Sequence, residues 1–260
     1  MEYTLNVQGH LMDLSTPQVM GIVNTTPDSF FAASRVQTED EIASRCRQIV
    51  EEGGSIVDVG ACSTRPGSDP ASQAEEMQRL RMALSVVRRT LPDTVLSVDT
   101  FRPDVARMAV EEYGADIIND ISGGSPDMFR LVAKMGVPYV LTSQQPDIRS
   151  MLLDFAASIQ QLRDFGQKDI ILDPGFGFGK TLEGNYEVLA SLSQLTVLSL
   201  PVLAGVSRKS MIYKHLGVTP DEALNGTTVL NTLALTKGAS ILRVHDVRQA
   251  VECVQLLSLL

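Results

Sequence analysis

The stretch Val19-Met-Gly-Ile-Val-Asn24 is a short apolar run that ends on an amide. Residues 38–52 follow with apolar side chains at helical spacing, and Ser55-Ile-Val-Asp-Val59 then repeats the first run. Strand, helix and strand make one parallel unit. Working outward, the same alternation covers the chain. Further β-branched runs lie at 95–98, 116–118, 138–141, 169–172, 202–204 and 240–244, with helical patterns such as 104–113, 126–134 and 225–237 between them. The eight runs recur at about 31 residues each, the spacing of a (β/α)8, or TIM, barrel. A doubly wound open sheet shares the alternation, but eight near-even intervals favour closure. Residues 3–14 alternate apolar and polar around Gln8-Gly9, which predicts a leading β-hairpin placed to plug the barrel floor. With no linker in view, residues 1–260 read as one domain.

Composition agrees with that size of core. The chain has 260 residues, 44% hydrophobic and 20% charged, which excludes disordered, collagen-like and small disulfide-stapled classes. The longest apolar stretch, 195–206, is broken by Thr196, Ser199 and Pro201 and falls short of the ~20 residues that span a bilayer. Met1-Glu2-Tyr3 opens no basic and apolar leader, so a cytoplasmic location is expected. Cys46, Cys62 and Cys253 form no CxxC pair and are expected to be packing thiols rather than disulfides or zinc ligands. A net charge of -9 argues against a nucleic-acid partner. An anionic small molecule would need a local basic cluster.

In a barrel the active site forms where strands end at their C-terminal side. The residues there are Asn24, Asp58 with Cys62 to Pro66 after it, Asp99, Asn119-Asp120, Thr142, Asp173, Ser207-Arg208-Lys209, and Arg243 with His245-Asp246. Any single one is explained by a turn or a helix cap; eight strands ending this way predict a convergent pocket. Carboxylates Asp99 and Asp173 with amides Asn24 and Asn119 suit a heterocycle rich in N–H donors. Arg65, Lys209, Arg243 and His245 suit phosphate or carboxylate. A heterocyclic phosphate ester fits both halves. The run Asp173-Pro-Gly-Phe-Gly-Phe-Gly-Lys-Thr181 fails the phosphate-loop spacing at Pro174, so its glycines are expected to admit a flat ligand, with Phe176 or Phe178 beside it. No Ser-His-Asp or Cys-His set suggests itself; His10 and His215 read as surface or structural residues and Cys62 as a packing residue.

At these motifs the sequence resembles the dihydropteroate synthase family. The resemblance rests on Met20-Gly-Ile-Val-Asn-Thr-Thr-Pro-Asp-Ser-Phe30, Asp58-Val-Gly-Ala-Cys-Ser-Thr-Arg-Pro-Gly67, Ser97-Val-Asp-Thr100, Ile118-Asn-Asp-Ile-Ser-Gly-Gly124, the Asp173 to Thr181 run, Gly205-Val-Ser-Arg-Lys-Ser210 and Arg243-Val-His-Asp-Val247. It implies a pterin-binding barrel that joins 6-hydroxymethyl-7,8-dihydropterin pyrophosphate to p-aminobenzoate in folate biosynthesis, giving 7,8-dihydropteroate and pyrophosphate. Position by position, it implies that Asp99, Asn119, Asp173 and Lys209 hold the pterin, with Phe178 and Gly205 lining its slot and Arg243 stacked on it. Asn24, Arg243 and His245 would meet the pyrophosphate, Asn24 also meeting Mg²⁺. Phe30, Thr64, Arg65, Pro66 and Ser207 would shape the p-aminobenzoate site. Catalytic work would fall to Lys209, Arg243 and Asp99, and the family implies a homodimer.

Two departures from the family pattern stand out. After Phe30 the family usually carries a Ser-Asp-Gly-Gly type stretch, where this chain has Phe31-Ala-Ala-Ser34. After the fifth barrel strand it usually has Met-His-Met-x-Gly-x-Pro, where this chain has Thr142-Ser-Gln-Gln-Pro146. The rival readings are a pterin-dependent methyltransferase domain, disfavoured by the cationic groups at 207–209 and 243–245, and a catalytically degenerate pterin-binding paralogue.

Overall fold

A computed structural model of the chain describes residues 3–26, 38–62 and 71–259. Eight parallel strands, adjacent in chain order, close into a barrel whose last strand pairs with its first. They are β3 (Gln18–Asn24), β4 (Ile56–Gly60), β5 (Val95–Asp99), β6 (Ile117–Asp120), β7 (Tyr139–Thr142), β8 (Ile170–Asp173), β9 (Val202–Ala204) and β10 (Ala239–Val244). Each falls within about one or two residues of its predicted run, because a buried strand ends where polar residues begin. Helices α1 (Glu39–Glu51), α2 (Gln73–Thr90), α3 (Pro103–Tyr113), α4 (Pro126–Met135), α5 (Ile148–Asp164), α6 (Leu182–Ala190), α7 (Ser210–Leu216), α8 (Leu224–Thr236) and α9 (Val247–Leu257) intervene or follow. Thr38 and Ser72 open α1 and α2 with capping boxes to Glu41 and Glu75, which satisfy backbone donors that the first helical turn leaves unpaired.

Strands β1 (Thr4–Val7) and β2 (His10–Asp13) form the predicted antiparallel hairpin. Gln8 and Gly9 both sit at positive φ, 50° and 85°, the twist that a two-residue hairpin turn requires. Leu5, Val7 and Leu14 from this segment pack with Met20, Ile56, Ile117, Val140, Ile171, Leu203 and Ile241, one inward residue from each of seven barrel strands. Val95 supplies the eighth. The hairpin therefore seals the N-terminal end of the barrel with an apolar plug. The Asn6 amide donates to Asp169 and the Gln8 side chain to the Gly114 carbonyl, pinning the hairpin to two loops of that end. The main core, including Val57, Leu96, Ile118 and Leu172, lies between strands and helices.

Leu5 is 1% exposed against this floor. Leu5→Ala is expected to lower unfolding free energy by about 2–4 kcal/mol in urea melts, from lost burial plus the cavity left behind. KM and kcat should stay unchanged, because the opposite end carries the polar residues.

Candidate active site

Side chains alternate along a strand, so a residue two beyond each floor residue also points inward, one layer higher. That rule places Ile22, Asp58, Ser97, Asn119, Thr142, Asp173, Gly205 and Arg243 in the second layer, and Asn24, Gly60 and Asp99 on the rim. Strand register sets these groups side by side, stepping one layer between β5 and β6: Asn24 lies beside Gly60, Gly60 beside Asp99, Asp99 beside Asn119, and Thr142 beside Asp173. The barrel is apolar below and polar above.

Asp58 organises the polar layer. It is fully buried in the middle of an apolar strand. Its carboxylate accepts from Ser97 Oγ at 2.6 Å, Asn119 Nδ2 at 3.2 Å and Arg243 Nε at 2.7 Å. Arg243 Nη2 donates onward to Asp99 Oδ2 at 2.7 Å. Burial alone would loosen the Arg243 proton, but Asp58 and Asp99 outweigh it and hold the guanidinium above its ordinary value. Burial, helped by Asp58, Glu76 and Asp120, pushes the Asp99 carboxyl up to about 7 against the pull of Arg243. Asp58 stands among the strand-end residues, but strand-end position alone assigns it no role. The signal was present in Ile56-Val-Asp-Val59, since a carboxylate inside a buried strand requires a partner.

Opposite this pair, Asp173 and Lys209 face one another. Asp173 accepts from the Gly175 amide at 2.8 Å, and burial raises its pKa despite Lys209 nearby. Burial draws Lys209 down to about 8, with Asp173 opposing that shift. Its ammonium donates to the Phe176 carbonyl and sits 4.9 Å over the Phe178 ring. Phe178 is the aromatic at this mouth; Phe176, also considered for it, is buried in the main core. A methyl group added at Gly205 would stand 3.9 Å from both Arg243 Cβ and Lys209 Nζ, so glycine leaves a slot between the two cations.

Two of the three glycines of the 173–181 run have a different reason from the one predicted, while Gly177 lies against the Lys209 side chain. Gly175 and Gly179 have positive φ, and a side chain on either would strike the Ser143 or Gln144 carbonyl. The close approach is to the protein's own backbone. Lys180 completes this clamp by donating to the carbonyls of Ser143, Gly175 and Phe178. It uses all three ammonium donors on protein atoms, which disposes of the phosphate-loop reading.

Asn24 Oδ1 and an Asp99 oxygen lean over Gly60 from either side, 3.6 and 3.7 Å from where its Cβ would be. His245 follows β10, and its backbone N–H donates to Ser207 Oγ at 3.2 Å. Burial first, then Arg243, Arg45, Arg208 and Lys209, depresses the His245 pKa to about 3, so of the two charge states open to it the ring takes the neutral, hydrogen-bonding one. Arg208 turns away from the mouth into a bidentate pair with Asp246 at 2.8 Å and caps the Pro220 and Asp221 carbonyls. Arg45, which the motifs did not indicate, reaches from α1 to the Ile22 carbonyl at 3.3 Å and the His245 carbonyl at 2.6 Å, tying the ends of β3 and β10 together. Phe30, Thr64, Arg65 and Pro66, and the Phe31 to Ser34 departure, lie outside the described residues.

Taken together, barrel and mouth define an enzyme for a flat, N–H-rich heterocycle carrying an anionic group. The pterin binding enzyme family matches residues 20–245. A dihydropteroate synthase from Escherichia coli (strain K12) is 37% identical over 268 residues, covering 96% of this chain and 94% of its own. Two solved structures are similar across the molecule. One is the Xanthomonas albilineans dihydropteroate synthase with 4-aminobenzoic acid, with TM-score 0.89, 35% identity and coverage of 100% and 98% of the two chains. The other is a Coxiella burnetii dihydropteroate synthase in complex with pteroic acid, with TM-score 0.91, 32% identity and 98% coverage of both. The chain belongs to the dihydropteroate synthase family.

Two outcomes test the electrostatics of the site. Asp58→Asn places an amide among three donors; unfolding free energy should fall by about 3 kcal/mol, as when a buried ion pair loses one partner. A urea midpoint equal to wild type would show that Arg243 is held by Asp99 alone. With Lys209 near 8, kcat/KM should decline as pH rises through about 8, because the ammonium becomes neutral. Lys209→Arg stays charged and should be slower but lose that alkaline limb; a limb that persists in the variant belongs to another group.

Proposed function

We propose that this protein condenses 6-hydroxymethyl-7,8-dihydropterin pyrophosphate with p-aminobenzoate, giving 7,8-dihydropteroate and pyrophosphate. The observation that carries the reading is the juxtaposition of two kinds of group across one slot. On one side lie the acceptors Asp173 and Asn119, whose buried Oδ1 has no partner among the described residues. On the other lie Arg243 and Lys209 with Gly205 between them. A pterin offers an amino group and ring N–H donors to the first side, and its pyrophosphate meets the second.

In the reaction the C–O bond between the pterin methylene and pyrophosphate breaks, a C–N bond to the arylamine forms, and the amine sheds a proton. Negative charge grows on the leaving group while positive charge grows on the methylene. Arg243 and Lys209 stabilise the first, His245 and Asn24 add neutral hydrogen bonds, and Asp99 and Asp173 favour the second. Ser207 lies beside His245, where the p-aminobenzoate half would begin, with Phe30, Thr64, Arg65 and Pro66 assigned by resemblance. Asp58 holds Arg243 and Asn119 at fixed positions, which is preorganisation rather than chemistry.

Mg²⁺ fits this rim as a substrate-borne ion. Among the described residues no group of three or more His, Cys, Asp or Glu is placed to hold a metal ion, while Asn24 offers a hard amide oxygen beside Asp99. Mg²⁺ commonly binds through one or two protein oxygens plus substrate phosphates. When bound it would supply charge neutralisation to the departing pyrophosphate.

We also infer a homodimer through the α8 face. Val229 and Leu233, one turn apart, are 50% and 42% exposed, and Leu256 of the neighbouring α9 is 69% exposed. A cytoplasmic location agrees with three free cysteines; among the described residues no helix is long and apolar enough to cross a membrane.

Purified protein given the pterin pyrophosphate, p-aminobenzoate and Mg²⁺ should form dihydropteroate, and Arg243→Ala should lose at least about 100-fold in turnover together with inhibition by pyrophosphate. Pterin binding without product would identify a degenerate paralogue instead. Light scattering of the same sample should give twice the chain mass, and Leu233→Glu should halve it.

A further inference from the structure

Thr142 is the last residue of β7 and is fully buried. Val140, two positions earlier, belongs to the barrel floor, so Thr142 points inward on the layer above. It lies directly beside Asp173 in strand register, and on the other neighbouring strand the inward-facing Asn119 pairs with Val140, two residues before Thr142. Its Oγ1 has no hydrogen-bond partner among the described residues, and neither has Asn119 Oδ1. The Thr142 methyl is turned toward Gly175, where an added Cβ would stand 3.0 Å from it, so the hydroxyl is directed elsewhere.

A buried hydroxyl without a partner is unfavourable in the free protein and persists where a ligand completes it. The other two residues that replace the family's Met-His-Met stretch are already committed. Ser143 Oγ donates to Asp154 at 3.0 Å, and Gln144 Nε2 donates to the Ile121 carbonyl at 3.1 Å. Thr142 alone of the three faces the slot with its polar atom unused. A methionine there would pack against a ring but offer its N–H groups only a weak sulfur acceptor.

We propose that Thr142 is a specificity-determining residue of the pterin site, its hydroxyl hydrogen-bonding the amino and ring N–H edge of the heterocycle between Asn119 and Asp173. The contact would place a polar group where the family's sequence pattern has methionine. It rests on the functional reading given above.

Calorimetric titration with 6-hydroxymethylpterin tests it, using wild type, Thr142→Val and Thr142→Ser, with a thermal melt of each. Valine keeps the shape and removes the hydroxyl; affinity should fall about tenfold, with a raised pterin KM and near-constant kcat. Serine keeps the hydroxyl and should bind within about twofold of wild type. The valine variant should melt no lower than wild type, because it removes an unsatisfied buried group. Equal binding by valine and wild type overturns the assignment. So does equal weakening in valine and serine, which would make the methyl responsible, or a lowered melting temperature or failure to fold in the valine variant, which would make the hydroxyl structural. If wild type binds no pterin, the functional reading itself falls, an outcome distinct from pterin-binding wild type with an unaffected valine variant.

Discussion

Asp58 is a carboxylate with no access to water, lodged where four barrel strands bring their side chains together. An isolated charge there would be too costly to keep, so the fold supplies Ser97 from β5, Asn119 from β6 and Arg243 from β10 as donors. That obligation orders the mouth. Satisfying Asp58 orients the Asn119 amide with its oxygen outward and holds Arg243 where its second nitrogen reaches Asp99. One buried charge thereby sets the direction of Asn119, Arg243 and Asp99 at the mouth.

The barrel separates two jobs by layer. Below, one apolar residue from each strand packs on the hairpin, and stability comes from burial. Above, the same strands present polar groups whose desolvation is unfavourable, visible in the raised Asp99 and Asp173 and the lowered Lys209 and His245. Such perturbation concentrates where ligands and charge-developing reactions are handled. The loops around the mouth are held by side chains that never enter it. Lys180 joins the loops after β7 and β8, Arg208 joins the β9 loop to Asp246, and Arg45 joins β3 to the residue after β10. Each spends its donors on protein carbonyls or carboxylates, which explains why cations near the site in sequence are not all cations of the site.

Much of this was legible from one-dimensional pattern. Strand period and spacing determine the barrel, because buried parallel strands must be apolar and must end where polarity begins; Gln8-Gly9 determines the hairpin, because that turn needs positive φ. Asp99, Asn119, Asp173, Lys209 and Arg243 follow from their place at strand ends. Tertiary structure decided what those groups do to one another. Charge states depend on burial and on neighbours far along the chain, so the neutrality of His245 and the pairing of Arg243 with Asp58, 185 residues away, have no local signature. The same holds for Gly175 and Gly179, whose necessity comes from the carbonyls of Ser143 and Gln144 on a different loop. Sequence alone determined which residues reach the barrel mouth, since alternation and strand length are local properties. Only the closed barrel decided which of them are paired off, which are desolvated and which are left to a ligand, since hydrogen bonds and burial belong to groups that the chain brings together from different strands.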